Sequence, residues 1–158
     1  MRQISLFLVL FSACAADQGR LYDGPARARS ETALVEVNRY AQKRTFRWVI
    51  TRVESNGRRT EQTFEIPPGP QRLEVAWRLY DATEKNDVGR FLVPAADRPR
   101  RIEEGVKVIE FEPRAGGFYR LHWTSRPDAT IEGAPGDLEL TLVDAGQRPL
   151  EPGETRTE

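Results

Sequence analysis

The sequence predicts an all-β fold: a single antiparallel β-sandwich of seven or eight strands, Ig-like with Greek-key connections, behind a signal peptide. Three observations carry that reading. Apolar residues recur at every second position in several segments, as at Phe46, Trp48 and Ile50 or at Leu73, Val75, Trp77 and Leu79. Turn-forming residues punctuate the chain between those segments, at Asn56-Gly57, Pro68-Gly69 and Gly116-Gly117. A helical period is almost absent, and its one candidate, Glu31 to Lys43 through Leu34, Val37 and Ala41, carries Val35, Val37 and Asn38, which favour a strand followed by a turn. At 158 residues the chain has room for one such domain, expected over 31–145.

The first element, Met1 to Ala13, reads as a secretory signal peptide. Arg2 supplies the positive charge, Ile4 to Phe11 the apolar run, and Ser12-Ala13 the small residues before a cleavage point. As a helix that run spans about 12 Å, against a hydrocarbon core of roughly 30 Å, so it is too short to serve as a lasting membrane span. The run Leu10-Phe11-Ser12-Ala13-Cys14 resembles the lipobox of bacterial lipoproteins. The resemblance implies that the Cys14 thiol takes a diacylglycerol and that the chain is cut just before it. Ala15, standing where an Asp would favour retention at the inner membrane, then implies the outer membrane in a source with two membranes. The alternative is an ordinary signal cut near Ala15-Ala16, with Cys14 an apolar residue of its last part. A lone thiol in an oxidising compartment invites mispairing, which a thioether avoids, and the chain has no second cysteine with which to form an internal disulfide.

Residues 14–30 follow as the lipidated N-terminus and a tether, with Gly19, Gly24, Pro25 and three Arg and no apolar period, although Leu21 and Tyr22 set two large groups before a turn. Ala33 to Val37 is a short first strand. Phe46 to Thr51 is the next, and Ser55-Asn56-Gly57 turns it into a return strand carrying Thr60, Gln62, Phe64 and Ile66. Pro67-Pro68-Gly69-Pro70 ends that strand, since proline has no N–H to donate to a ladder. Arg72 to Leu79 is the cleanest strand. Asp81 to Asp87 is a polar loop, Gly89 to Val93 a short strand, and Pro94 to Glu104 a charged connection. In Val106 to Phe111 the register stays open: Val106 and Val108 favour one face, Ile109 and Phe111 the other, as in a bulge or a strand buried on both sides. After the turn Arg114 to Gly117, Tyr119, Leu121 and Trp123 oppose Phe118, Arg120, His122 and Thr124. A loop over Ser125 to Asp137 leads to the final strand at Leu138, Leu140 and Leu142, and residues 146–158, rich in Pro, Gly and charge, form an expected disordered tail.

In that order the chain resembles a group of small, uncharacterised bacterial lipoproteins. The matching residues follow Cys14: Tyr22, Gly24 and Pro25; Glu31 and Ala33; Pro68 and Gly69; then Ala115, Gly116 and Tyr119. The likeness runs from about Cys14 to Trp123. It implies an envelope β-sandwich and no catalytic residues.

Chemistry has few candidates. The 24 Lys+Arg balance 24 Asp+Glu, which argues against a nucleic-acid partner. His122 is the sole imidazole, and its parity beside Arg120 and Thr124 predicts an exposed surface histidine. Ser30, Ser55 and Ser125 sit in no Gly-x-Ser-x-Gly elbow. Glu103-Glu104 are adjacent in the charged connection and Glu110/Glu112 sit on one side of a strand; neighbours of this kind repel one another rather than face each other across a cleft, with a weak calcium site as the alternative for the second pair. Asp128, Glu132 and Asp137 read as a solvated acidic loop, and Arg90, Arg98, Arg100 and Arg101 as a solvated basic one, with contact to anionic lipid or peptide as its alternative. Trp48, Trp77 and Trp123 are expected in the core; an exposed one would instead suggest a platform for sugars. The expectation is therefore a non-enzymatic envelope lipoprotein with no catalytic residue, metal or cofactor. It meets the membrane through lipid at Cys14 and presents its domain to an envelope protein or a glycan, with a carbohydrate- or peptidoglycan-binding module as the alternative and a hydrolase less favoured.

Overall fold

The computed structural model describes residues 19–81, 100–127 and 136–150. They form two sheets and no α-helix; the one helical turn is a 3-10 turn at Arg29–Glu31. The strands in chain order are β1 (Gly19–Arg20), β2 (Ala33–Val37), β3 (Tyr40–Lys43), β4 (Phe46–Ser55), β5 (Arg58–Thr60), β6 (Phe64–Ile66), β7 (Gln71–Asp81), β8 (Arg100–Phe111), β9 (Gly117–Ser125) and β10 (Leu138–Gln147). The all-β reading stands. The finer one needs two corrections: the described residues hold ten strands rather than seven or eight, and one sheet is mixed rather than antiparallel.

The antiparallel sheet has the order β3-β4-β7-β8, with β5 continuing the β3 side of β4. Its hairpins come from local chemistry. Asn56 and Gly57, at φ 52° and 74°, make the left-handed two-residue turn between β4 and β5. Arg44 takes φ 52° in the turn between Lys43 and Phe46, a place that composition does not reveal because no Gly or Asn stands there. On β8 the register is now fixed. A bulge falls at Ile102, between the Leu79–Glu103 and Tyr80–Arg101 pairs, and not within 106–111. Val106 and Val108 are exposed on the outer face, while Ile109 and Phe111 pack against the core. Lys107 donates to the Leu140 carbonyl at 2.7 Å, so it joins the edge of this sheet to the last strand of the other.

The mixed sheet runs β1-β6-β2-β9-β10, with β1 parallel to β6 and β2 parallel to β9. The expected return strand from Thr60 to Ile66 is in fact two strands in different sheets. The chain pairs with β4 through Thr60, crosses over at Glu61 to Thr63, and resumes beside β2 at Phe64. Phe64 and Ile66 are fully buried there, so both bulky side chains reach the core from the second sheet. Ile50, Val53, Leu73 and Val75 from one sheet and Ala33, Val35, Phe64, Ile66, Tyr119, Leu121 and Leu140 from the other make one core. Each large member adds about 1.5–3 kcal/mol relative to an exposed position.

The folded body also takes in residues expected outside it. Leu21, at 1% exposure, belongs to the core, and its N–H donates to the Glu65 carbonyl. Tyr22 is buried, with its hydroxyl accepting from the Arg27 N–H and lying 3.5 Å from the Glu65 carboxylate. From the other end of the chain, Arg148 meets the same carboxylate at 2.7 Å, and Arg29 donates to the Pro149 carbonyl. Part of the expected tether and the first residues of the expected tail are therefore packed onto β6. The glycine-rich turn before β9 has a parallel cause. Gly116 needs φ 69°, and a Cβ on Gly117 would come within 2.9 Å of the Tyr119 ring, whose hydroxyl accepts from the Arg114 N–H.

Candidate functional site

The chain changes sheets at Asn38-Arg39, between β2 and β3. Asn38 N–H donates to the Leu121 carbonyl in the mixed sheet, and the Arg39 carbonyl accepts from Ile50 N–H in the antiparallel one. This corner is tied to both sheets by backbone bonds, so side chains around it are held on a rigid frame. Beside it opens a groove of about 580 Å³ lined by Val37, Asn38, Arg39, Tyr40, Ala41, His122 and Trp123.

Its polar groups are positioned from several sides. Arg39 Nε donates to the Ile50 carbonyl at 3.3 Å, its terminal nitrogen pairs with Glu61 at 2.8 Å, and its guanidinium lies 5.4 Å from the centre of the Tyr40 ring. Those contacts limit the rotamers of a long side chain before any ligand arrives. Tyr40 is 52% exposed and is the large aromatic surface of the groove. Trp123 is half-buried and meets Trp77 edge to face at 5.9 Å and 87°, and its indole N–H has no partner among the described residues. Trp77 in turn lies over Gly105, where a Cβ would come 2.8 Å from the indole. That close approach is the reason for a glycine in the middle of a strand.

His122 is half-buried in this groove, a correction to the exposed surface position that its parity predicted. Parity placed it on the correct face of β9, but the crossing corner from Val37 to Ala41 folds beside that face. Of the three tryptophans, Trp48 is in the core as expected, at 1% exposure, whereas Trp77 and Trp123 are half-buried where the sheets meet.

The serines are scattered. Ser55 is buried with no partner for its hydroxyl among the described residues, and Ser30 is exposed. Ser125 accepts from Lys43 Nζ at 2.8 Å, and the same ammonium reaches Asp137 at 2.8 Å. These contacts link β3 to the β9–β10 end of the mixed sheet. Asp137 is 3% exposed, which corrects its reading as a solvated residue; Asp128 and Glu132 lie outside the described residues.

On the outer face of the antiparallel sheet Glu104 pairs with Arg78 at 3.2 Å and Arg101 at 3.0 Å. Hydrogen bonding, from Tyr80 first and Glu104 next, raises the Arg78 pKa above its usual value and keeps the guanidinium charged. Glu103, Glu110 and Glu112 are exposed, and among the described residues no three His, Cys, Asp or Glu side chains gather as a metal site would require. Cys14, Arg90 and Arg98 lie outside the described residues, as do the 82–87 part of the polar loop and the short strand expected at Gly89 to Val93. No described helix is long and apolar enough to cross a membrane.

Sequence reasoning missed the groove because its walls come from segments far apart in the chain. The one local signal is the pair Arg39-Tyr40, a charged and an aromatic residue at a break between two strand patterns. Compared with protein-family models, curated proteins and solved structures, the chain matches none.

Proposed function

We propose that this chain is a cell-envelope lipoprotein, anchored through lipid on Cys14, and that its two sheets form a sandwich serving as a non-catalytic binding module. The groove at the Asn38-Arg39 crossing is its recognition site. The observation that carries this reading is the arrangement of Arg39. Its guanidinium is fixed by a backbone carbonyl, a carboxylate and an aromatic ring at the mouth of an open groove. Such a site favours recognition of a polar ligand with a flat or apolar side, since the ring offers contact area and the held polar groups set orientation. The lipobox-like run ending at Cys14 supports the anchor, and several acyl chains at about 0.8 kcal/mol per buried CH₂ make such an attachment lasting.

The glycan reading stands second, favoured by the exposed ring of Tyr40 rather than by a tryptophan. It predicts that the domain cosediments with cell-wall sacculi and that Tyr40→Ala lowers this binding about tenfold, which corresponds to about 1.4 kcal/mol.

The main reading is tested in four strains carrying the wild type, Cys14→Ala, His122→Ala and a Tyr40→Ala/His122→Ala pair. Cys14→Ala is expected to abolish fatty-acid labelling, release the protein to the soluble fraction and weaken any cellular phenotype, because tethering raises local concentration. The groove pair is expected to lose the phenotype while remaining membrane-bound. A phenotype that survives Cys14→Ala and is lost with His122→Ala alone would instead favour an enzyme.

A further inference from the structure

The folded body begins closer to the anchor than a free tether would allow. Gly19 is already in β1, paired with Phe64, and a Cβ on it would touch the Thr60 hydroxyl at 2.6 Å. Five Cα steps separate Gly19 from Cys14, a reach of at most about 18 Å. If Cys14 carries the lipid, β1 and the parts of the molecule packed against it therefore lie near the headgroups. That distance is about two Debye lengths at 0.15 M salt, so charges placed beside β1 come within range of the surface field once the chain is less than fully extended.

The side chains at this end are cationic. Arg20 is in β1 itself. Arg58 and Arg59 are exposed on β5, which packs against β1. Arg27 lies with its guanidinium 5.2 Å from the centre of the Tyr22 ring. Asp23 pairs with Arg58 at 2.6 Å, whereas Arg20, Arg27 and Arg59 form no ion pair among the described residues. Glu54, opposite Arg59, is paired with Arg52. Four arginines against Asp23 and the Asp17 of the linker leave a net charge of +2 on this end of a chain whose overall net charge is zero. The excess positive charge thus sits where the anchor would attach.

We propose that the end of the domain formed by β1, β5 and the Tyr22 to Arg27 segment is a docking surface for anionic lipid headgroups. The proposal rests on the lipoprotein reading for its geometry. The anchor supplies most of the affinity, and the arginines turn the body so that β1 and the Asn56-Gly57 hairpin face the bilayer. Arginine suits this role because its guanidinium forms paired hydrogen bonds to phosphate and stays charged.

Cosedimentation with vesicles separates the two ideas. The wild-type protein purified from membranes is expected to sediment with vesicles of pure phosphatidylcholine and with vesicles containing phosphatidylglycerol alike. The chain from Ala15 onward, which keeps every described residue but has no lipid, is expected to sediment only with the anionic vesicles, and to be released by 1 M salt. Replacing Arg27, Arg58 or Arg59 by Gln is expected to lower that partitioning about fivefold for each residue near the surface. Arg72→Gln, which removes the same charge from the outer face of the antiparallel sheet, is expected to leave it unchanged. If wild-type protein fails to bind neutral vesicles, the anchor is wrong, while the lipid-free chain still reports on the patch. If the lipid-free chain binds anionic vesicles no better than neutral ones, or Arg72→Gln acts as strongly as Arg58→Gln, the docking surface is refuted while the anchor stands.

Discussion

The two sheets are built in opposite ways. In the antiparallel sheet β3, β4 and β5 follow one another through two-residue turns, and β7 and β8 pair along eleven register positions. In the mixed sheet only β9 and β10 are chain neighbours; β1 meets β6 through Gly19 and Phe64, and β2 meets β9 through Val35 and Tyr119. Local pairing costs little loop-closure entropy, whereas each distant pairing orders a long stretch of chain before its contacts form. The mixed sheet therefore depends more on buried contacts that tie remote segments together. Phe64, Leu21 and the Tyr22, Glu65 and Arg148 cluster supply them.

The largest effect is expected at the point where both sheets meet the same core. Phe64→Ala should cost about 3–5 kcal/mol, as for other large aromatic deletions in a core, and should lower the guanidinium unfolding midpoint in a single transition because the sheets share that core. Two separate transitions would show that the antiparallel sheet stands alone.

Next comes the ion pair that holds the C-terminal end of the described chain to β6. Among the described residues Arg148→Met leaves the Glu65 side chain with only the long Tyr22 contact, and a stranded charge of this kind costs several kcal/mol when fully buried. The pair keeps some solvent access, with side-chain exposures of 7% and 11%, so about 2–3 kcal/mol is the expected loss. Adding Glu65→Gln should recover part of it. A neutral Arg148→Met would mean that the mixed sheet does not need the end of the chain.

The smallest effect belongs to the antiparallel sheet and has the opposite sign. Arg44→Gly relieves the left-handed backbone of the β3–β4 turn, and thermal unfolding should show a gain of about 0.5–1 kcal/mol. A loss would show that the Arg44 side chain contributes more than its backbone costs.

The groove sharpens the same contrast. Trp123 and His122 come from the mixed sheet and Tyr40 from the antiparallel one, and Arg39 stands on the crossing between them. His122 and Trp123 were visible in the sequence as groups on a strand, and Arg39 and Tyr40 as a charged and an aromatic residue between two expected strands. Their meeting was not, because it depends on β2 and β3 lying in different sheets, and a break of two residues reads the same whether the chain turns back or crosses over.

Alternation along the chain determined which side chains face inward at Leu73, Val75 and Leu79, at Tyr119 and Leu121, and at Trp48 and Ile50, because successive side chains of an extended backbone must point to opposite faces. The Asn56-Gly57 turn was determined in the same local way, by its need for positive φ. Tertiary structure alone decided which sheet each strand joins, that Phe64 leaves the hairpin begun at Asn56, that Val106 and Val108 stay exposed on an edge strand, and that both ends of the described chain close over Glu65. These outcomes follow from competition for partners in three dimensions. A strand pattern states that an apolar face must be covered, and only the packing of the whole chain supplies what covers it.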